Sequence, residues 1–336
     1  MLINEILETL MTASNFMAQR RQLLKFGVPL ALGGIGGLAA AASWQPAGVV
    51  RIIVPFAAGG GADALARLAS PGLGDRFRQP VVVENRPGAT GAIGADFVFS
   101  APADGLTLLL GSADGLSMYP HIAKTRFDAT RFTPIAPLGR TPFILMGRPD
   151  LPAGNSKELV ALAQSRSLTY ANAGNGSSLH VMAVAFKDAA QIKEAVQVPY
   201  QGAAPALQAL MASQVDVMMV PAGMAGPYMS RLKSFGVTTA SRYGNVKDVP
   251  TLSEQGVAVV GESWLGIVGP PGLSADATAS LSEAIREVTR STDYRVRLDQ
   301  LGLSWVDMSQ GEFQKYYLDA YKHWGNVIAK GNIKLE

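Results

Sequence analysis

The chain has 336 residues, of which 48% are hydrophobic and 16% are charged, and its formal net charge is +3. This composition is typical of a globular protein that is long enough for two domains. The absence of cysteine excludes disulfides, thiolate catalysis and cysteine-ligated metals. Basic and acidic residues are interspersed, and no basic stripe alternates with aromatic residues, so we expect no nucleic-acid partner.

Residues 1–42 have the pattern of an export signal. Arg20 and Arg21 are followed by Leu-Leu-Lys and then by a Gly/Ala-rich apolar run that ends at Ala42. Adjacent arginines before a weakly hydrophobic segment are typical of a twin-arginine signal peptide. The run is short and glycine-rich compared with the roughly 20 strongly apolar residues of a membrane-spanning helix. We therefore predict a cleaved signal and a periplasmic protein.

Short apolar runs alternate with helical patterns along the rest of the chain. The runs predict strands at 49–56, 79–85, 105–112, 143–149, 168–174, 195–200, 215–222, 235–241 and 264–271. The patterns between them predict helices at 63–77, 93–100, 156–165, 178–187 and 203–213. Strand–helix alternation favours an α/β fold with largely parallel sheets. Pro71-Gly72 should kink the first of these helices or end it early.

The last part of the chain, from Ala275, is predicted to be helical. Apolar residues recur at three-to-four spacing in 277–291 and 309–330. Ser309 and Glu312 have the spacing of a capping box, which starts the second of these helices. No flexible linker divides the chain, so we expect two lobes joined by crossing strands at 132–143 and 262–271.

A glycine turn follows the first predicted strand and has two interpretations. Gly59-x-Gly61-x-x-Ala64, with Glu84 beyond it, matches a relaxed dinucleotide fingerprint, which would suit an exported nucleotide-dependent oxidoreductase. Against this alternative, Pro55 to Ala58 separate the strand from the first glycine. Asp63 would also stand close to the pyrophosphate, where like charges repel. The other interpretation is an anion site on bare backbone N–H groups at a helix start.

A second strand–turn–helix of the same design occurs at Gly174-Asn175-Gly176-Ser177-Ser178. Ser177 and Ser178 would either cap the helix or turn their hydroxyls to a ligand. His180, at the same helix start, would bond the turn or the ligand. His121 and His323 lack metal-ligand spacing, and no GxSxG elbow occurs, so no catalytic set is predicted.

The chain resembles the periplasmic solute-binding receptors of tripartite tricarboxylate transporters, the Bug or TctC-like family. The resemblance is carried by RIIVPFAAGGGADALAR, VVVENRPGATGAIGADFV, ADGLTLLLGSADGLSMYP, VPYQGAAPALQALMASQVDVMM, VPTLSEQG and WLGIVGPPGLS. These segments follow the family order from Val50 to Ser274. The resemblance implies a two-lobed periplasmic-binding-protein-like clam, with two Rossmann-like α/β domains, crossing strands and C-terminal helices. Lobe 1 would comprise 48–138 and 265–336, and lobe 2 would comprise 139–264.

The function that the resemblance implies is capture of a small organic acid in an interlobe cleft. Such a protein would be a receptor rather than an enzyme, a monomer without cofactor or metal, and would pass its ligand to the membrane subunits of a tripartite transporter. In the family, one turn from each lobe grips a ligand carboxylate through backbone N–H groups and water. The positions that match in this chain are Phe56, Gly59, Gly60, Asp63, Ser112, Asp114, Gly174, Gly176, Ser177, Ser178, His180, Tyr200, Gly202 and Ala203.

The resemblance also gives particular expectations at three positions. Asp63 would either face the ligand or fix the loop. Ala209 stands where the family usually has an acidic residue. Asp114 adds a carboxylate to a segment that is often Ser, Thr or Gly in relatives, which would disfavour a polyanion and suit an ammonium or hydroxyl group.

Overall fold

The computed structural model describes residues 44–334, so the predicted export signal lies outside the described residues. The described part contains nine strands, and each of the nine predicted strands overlaps one of them. Their bounds are β1 Val50–Val54, β2 Val81–Asn85, β3 Thr107–Ser112, β4 Thr133–Gly147, β5 Leu168–Asn172, β6 Ala195–Pro199, β7 Val217–Pro221, β8 Lys233–Val237 and β9 Glu262–Gly269.

The helices of this part are packed on the sheet that these strands form. Their bounds are α1 Gly61–Phe77, α2 Ala92–Phe99, α3 Ser156–Ser165, α4 Ser178–Ala189, α5 Ala203–Met211, α6 Ala222–Ala225, α7 Ala275–Arg290, α8 Thr292–Gln300 and α9 Gln310–Lys330. α8 lies in the tail that is predicted to be helical, but the sequence did not predict it as a separate helix. Ser309 and Glu312 form the predicted capping box at the start of α9. None of the helices in residues 44–334 is both long and apolar enough to span a bilayer.

The strands run in the order β2-β1-β3-β9-β4-β7-β5-β6, with β8 also paired to β4. The pairs within β1–β3 and within β5–β7 are parallel, as the strand–helix alternation predicts. β4 and β9 pair antiparallel to each other and to their other neighbours. The sheet is therefore two parallel α/β halves joined through an antiparallel centre.

β4 is the strand on which both halves meet. Its residues 133–142 pair with β9, and its residues 143–147 pair with β7 and β8. Pro134 and Pro137 lie where the β4–β9 register shifts, because proline lacks the N–H that a regular ladder needs. The predicted crossing segments 132–143 and 262–271 thus contain the two strands that form this centre.

α9 packs across the antiparallel centre. The buried ring of Trp264 on β9 makes edge contacts with Phe313 and Tyr317, at centroid distances of 5.7 and 5.4 Å. Trp324, farther along α9, is 2% exposed. A side chain at Gly261 would collide with both Met182 and Trp324, so α9 also reaches the half that contains α4.

α1 does not end at Pro71, contrary to that part of the sequence prediction. The helix is continuous from Gly61 to Phe77 with Pro71 inside it. Its apolar stripe, which includes Leu65 and Leu73, is buried against the core on both sides of the proline. Burial of this stripe outweighs the lost helical hydrogen bond, since each buried aliphatic side chain contributes roughly 1.5–3 kcal/mol.

Candidate functional site

The glycine turn between β1 and α1 is held in shape by Asp63. The Asp63 carboxylate, only 4% exposed, accepts hydrogen bonds from the Gly59 N–H at 2.9 Å and from Asn85 Nδ2 at 3.0 Å. Arg67 Nε also donates to it at 3.0 Å, and this bond is the main reason why the pKa of Asp63 falls to about 2. Of the two predicted roles, Asp63 therefore fills the second and fixes the loop.

The start of α1 lacks a cap. Gly60 is the N-cap residue, and it has no side chain that could accept the first N–H groups. Within residues 44–334, no acceptor is found for the N–H groups of Gly61, Ala62 and Asp63, and the loop around them is exposed. A methyl group at Gly61 would meet nothing within 4 Å. We call these three N–H groups the open α1 start; they present the positive end of the helix to whatever approaches.

The turn between β5 and α4 has the same design, but its N–H groups are used by the protein. Ser177 Oγ accepts the His180 N–H at 3.3 Å and caps the helix, as the capping alternative predicts. Asn172 Oδ1 accepts the Gly174 N–H at 2.8 Å, and His180 Nδ1 accepts the Gly176 N–H at 3.1 Å.

His180 is thus bonded to its own turn. It is 5% exposed, and burial lowers its pKa to about 4. The imidazole is therefore neutral near pH 7, and its Nδ1 acts as an acceptor.

Asp114 connects the two halves. It lies in a one-turn π-helix, Ala113–Met118, that follows β3. Its Oδ1 accepts the N–H of Ser178, the first residue of α4, at 2.7 Å. Ser112 Oγ caps the same π-helical turn by accepting the Gly115 N–H at 3.2 Å. The predicted site residues that follow β3 and β5 are therefore brought into direct contact.

The remaining predicted residues lie next to one of these turns. The Tyr200 N–H donates to the Asn172 carbonyl at 3.0 Å, and a side chain at Gly174 would lie 3.7 Å from the Tyr200 carbonyl. Gly202 is the N-cap of α5, without a side-chain cap, and Ala203 is its first residue. Tyr200 to Ala203 thus border the α4 turn.

A path of close contacts also joins the glycine turn to Asp114. A side chain at Gly91 would lie 3.7 Å from the Phe56 ring, and one at Gly115 would lie 3.8 Å from Gly91 Cα. Gly115 follows Asp114 in the chain. Among residues 44–334 no direct bond links the glycine turn to Ser177, so the two helix starts are connected only through the residues of the β3 turn.

Two residues that position the site were not predicted individually. Asn85 ties the glycine turn to β2 through the Phe56 carbonyl at 3.1 Å and through Asp63. Asn172 supports the α4 turn by accepting the Gly174 N–H at 2.8 Å. Asn85 and Asn172 each end a strand, and this position is the signal that could have identified them.

The nucleotide interpretation lacks support in the structure. Glu84, which would have to bind a ribose, forms ion pairs with Arg51 at 2.5 Å and with Arg86 at 2.6 Å. The described residues also contain no cluster of His, Asp or Glu side chains that could hold a metal ion.

A surface hollow of about 750 Å³ lies outside the predicted site, between the 238–244 loop and α9. Two arginines line it, and both are ion-paired: Arg140 with Glu262 at 2.8 Å and Arg242 with Glu254 at 3.1 Å. None of the predicted ligand-binding residues lines this hollow.

The sequence matches the model of a known family over residues 65–333, and that family is described as the tripartite tricarboxylate transporter family receptor. The chain belongs to this family. It is a solute-binding receptor, and the receptor is 30% identical to a UPF0065 protein of Bordetella pertussis, over 84% of this chain and 89% of that one. It is 29% identical to the protein BugT of the same organism, over 95% and 100% of the two chains.

Solved structures of periplasmic binding proteins share the receptor's two-lobed α/β fold. A TctC solute-binding protein from Polaromonas superposes with a TM-score of 0.77 at 28% identity, over 85% of the receptor and 100% of that chain. Rpa4515 of R. palustris, solved with adipate, gives 0.75 at 29% identity, over 86% and 99%. MatC of Rhodopseudomonas palustris, solved with malate, gives 0.72 at 29% identity, over 84% and 99%.

Proposed function

We propose that the receptor binds a small carboxylate-bearing solute whose acid group sits on the open α1 start. The observation that carries this proposal is the set of unpaired N–H groups at Gly61, Ala62 and Asp63, at the positive end of a 17-residue helix. Anions bind at such helix starts without a guanidinium, because the amides and the helix dipole point at the same place. Solved relatives that carry adipate and malate support an acid as the ligand.

The energy of such a site suits a transport receptor. Each charge-assisted hydrogen bond contributes roughly 1.5–3 kcal/mol. Three of them, with burial of the ligand's carbon chain, reach the ~8 kcal/mol of a micromolar dissociation constant. A ligand held at that strength is captured from dilute solution and can still be released.

The lobes around this site would close on the ligand. We assign residues 48–138 and 265–336 to lobe 1 and residues 139–264 to lobe 2, with β4 and β9 as the hinge between them. A ligand that contacts both lobes stabilises the closed form, because only closure brings both sets of contacts to it. The closed monomer would then dock on the membrane subunits of a tripartite transporter and release the acid there.

Replacement of Gly61 by proline tests the site by removing a single backbone N–H group. Proline is favoured at the first helical position, and the extended backbone of Gly60 (φ −79°, ψ 170°) suits the residue before a proline. Gly61→Pro therefore removes one N–H of the open α1 start and leaves the helix intact. Calorimetry with adipate, malate, citrate, glutamate, benzoate and NAD first identifies the acid that wild type binds best.

For that acid, Gly61→Pro should weaken binding by about 10- to 100-fold, the equivalent of one charge-assisted hydrogen bond. Gly61→Ala, which keeps the N–H and has free space around its methyl group, should bind like wild type. Equal affinity of the proline variant would refute the site. Stabilisation of the wild type by NAD and by none of the acids would refute the receptor function.

We also propose that residues 1–42 direct export through the twin-arginine route and are cleaved near Ala42. A reporter fused after residue 48 should reach the periplasm, and Arg20→Lys with Arg21→Lys should retain it in the cytoplasm. Continued export of the double-lysine fusion would point to another route.

A further inference from the structure

A carboxylate of the chain itself already occupies the α4 start. Asp114 Oδ1 lies 2.7 Å from the N atom of Ser178, the first residue of this helix. The two helix starts of the proposed site therefore differ: α1 offers unpaired N–H groups, and α4 offers an N–H group that is already bonded to a negative charge.

The charge of Asp114 is weakly compensated. Its carboxylate accepts the backbone N–H of Ser178 and has no ion-pair partner among residues 44–334, and burial raises the pKa of its carboxyl group above the usual value. An anion in such surroundings is destabilised by a second carboxylate and stabilised by an N–H donor or a cation. The end of a ligand that lies near Asp114 should therefore carry a donor rather than an acid.

Two buried polar atoms near this contact have no partner among residues 44–334. One is Asn172 Nδ2, on the fully buried residue whose Oδ1 supports the α4 turn. The other is the hydroxyl of Ser117, which is 0% exposed and lies in the same π-helical turn as Asp114. Unpaired buried polar atoms cost about 1–3 kcal/mol each, and a polar ligand group would relieve that cost.

We propose that Asp114 sets the substrate class: the receptor takes a solute with one carboxylate, for the open α1 start, and a nitrogen donor at the other end, either a carboxamide or an ammonium. This inference rests on the proposed function. Asp114 is the specificity-determining residue because it replaces the second carboxylate that a dicarboxylate ligand would place on α4. A dicarboxylate would have to displace it or lie against it.

Four ligands of equal chain length test the inference by calorimetry: adipate, its monoamide adipamate, ε-aminocaproate and hexanoate. Wild type should bind adipamate or ε-aminocaproate at least about 10-fold more tightly than adipate, which corresponds to roughly 1.4 kcal/mol. Hexanoate, which lacks a donor, should bind more weakly than the better of the two nitrogen ligands. Whichever nitrogen ligand is preferred distinguishes a carboxamide from an ammonium.

Asp114→Asn keeps an oxygen acceptor for the Ser178 N–H and removes the charge. The ratio of the affinity for the better nitrogen ligand to the affinity for adipate should therefore fall by about 10-fold or more relative to wild type. Asp104→Asn is the matched control, because Asp104 also accepts a backbone N–H, that of Leu106, on an exposed turn away from the site. Thermal melts show whether each variant is folded. If Asp114→Asn does not fold, Asp114→Ser takes its place. The ratios of the ligand affinities of wild type test the inference even if neither variant folds.

The outcomes separate the two proposals. Binding of adipate as tightly as adipamate and ε-aminocaproate, with an affinity that still drops in Gly61→Pro, would overturn the role of Asp114 and leave the proposed function standing. An unchanged ligand preference in Asp114→Asn would overturn it as well. Failure of every acid to bind wild type would overturn both.

Discussion

The start of α1 and the start of α4 follow similar glycine-containing turns, yet they end up in opposite states. At α1 the N-cap is a glycine, and the amides of the first turn have no acceptor among the described residues. At α4 the first N–H groups are accepted by Ser177 and by Asp114, and His180 and Asn172 accept two more in the turn before it. The α1 start therefore leaves three N–H groups unpaired, whereas two of the first three N–H groups of α4 are bonded within the protein.

The difference shows that a motif by itself does not make an anion site. Both turns place small residues between a strand and a helix, and both therefore expose N–H groups in the isolated segment. What decides is whether other parts of the protein supply the acceptors. Asp63 accepts the N–H of Gly59, which precedes the helix, and so leaves the first helical amides free. Asp114 accepts the N–H of Ser178, which is itself the first helical amide of α4.

The largest effect is expected at the residue that shapes the α1 turn. Asp63→Ala leaves the half-buried Asn85 amide and the Gly59 N–H without their acceptor, so it should destabilise the fold by about 3 kcal/mol. It should also abolish ligand binding, because the open α1 start loses its shape. Asp276→Ala, an exposed aspartate in the first turn of α7, is the control in urea unfolding. A loss no larger than that of the control would contradict the role given to Asp63.

The α4 turn should make stability depend on pH through His180. Its pKa is lowered to about 4 in the folded protein, against 6.5 in the unfolded chain, so unfolding takes up a proton between these values. This contribution is complete above the unfolded pKa and is lost as the pH falls toward 4. Between about pH 7 and about pH 5 the wild type should lose about 2 kcal/mol from this group.

His180→Asn removes that dependence, so urea unfolding of the variant should change less over the same pH range. The other titrating groups, including His121 and His323, are present in both proteins and cancel in the comparison. Equal losses in the two proteins would show that His180 is not neutral and bonded to Gly176 as the structure has it.

The cap of α4 should matter for stability and hardly for binding. Ser177→Ala removes the acceptor of the His180 N–H and should cost about 1 kcal/mol. Because the Ser177 hydroxyl is bonded within its own helix start, ligand affinity should change by less than about twofold. A large fall in affinity with unchanged stability would mean that the Ser177 hydroxyl serves the ligand instead.

The smallest stability change is expected from the reverse substitution at α1. Gly60→Ser places a capping hydroxyl where Gly60 already has the extended N-cap conformation, and this should stabilise the protein by a few tenths of a kcal/mol. The same hydroxyl would take one of the unpaired amides, so binding should weaken by several-fold. Thermal melts check the gain in stability, and calorimetry on the same preparation checks the loss of affinity. Tighter binding by Gly60→Ser would contradict competition for the open α1 start.

Much of the fold is predictable because its signals are local. The apolar runs identify all nine strands, and Ser309 with Glu312 identifies the start of α9. Local signals fail where packing outweighs them. An interior proline ends or kinks most helices. Here the buried stripe on either side of Pro71 keeps α1 continuous. α8 has a weak apolar pattern and was not predicted as a separate helix.

The candidate site is predictable to the level of its turns. Sequence reasoning brings Gly59 to Asp63 and Gly174 to His180 into consideration, and it raises the two roles for Asp63 and for the two serines. It does not choose between these roles. The choice depends on partners such as Asn85, which is 22 residues from Asp63 in the chain. Hydrogen-bond partners at such separations follow from strand order and register, which a single turn does not encode.

By itself the sequence determined the kinds of elements, the two glycine-containing turns and the capping box of α9, because each depends on residues within one helical turn or one strand. The tertiary structure decided which of the two helix starts stays open. Asp114 reaches the Ser178 N–H across 64 residues of chain, and only the alignment of β3 with β5 through the antiparallel centre brings that carboxylate to that amide.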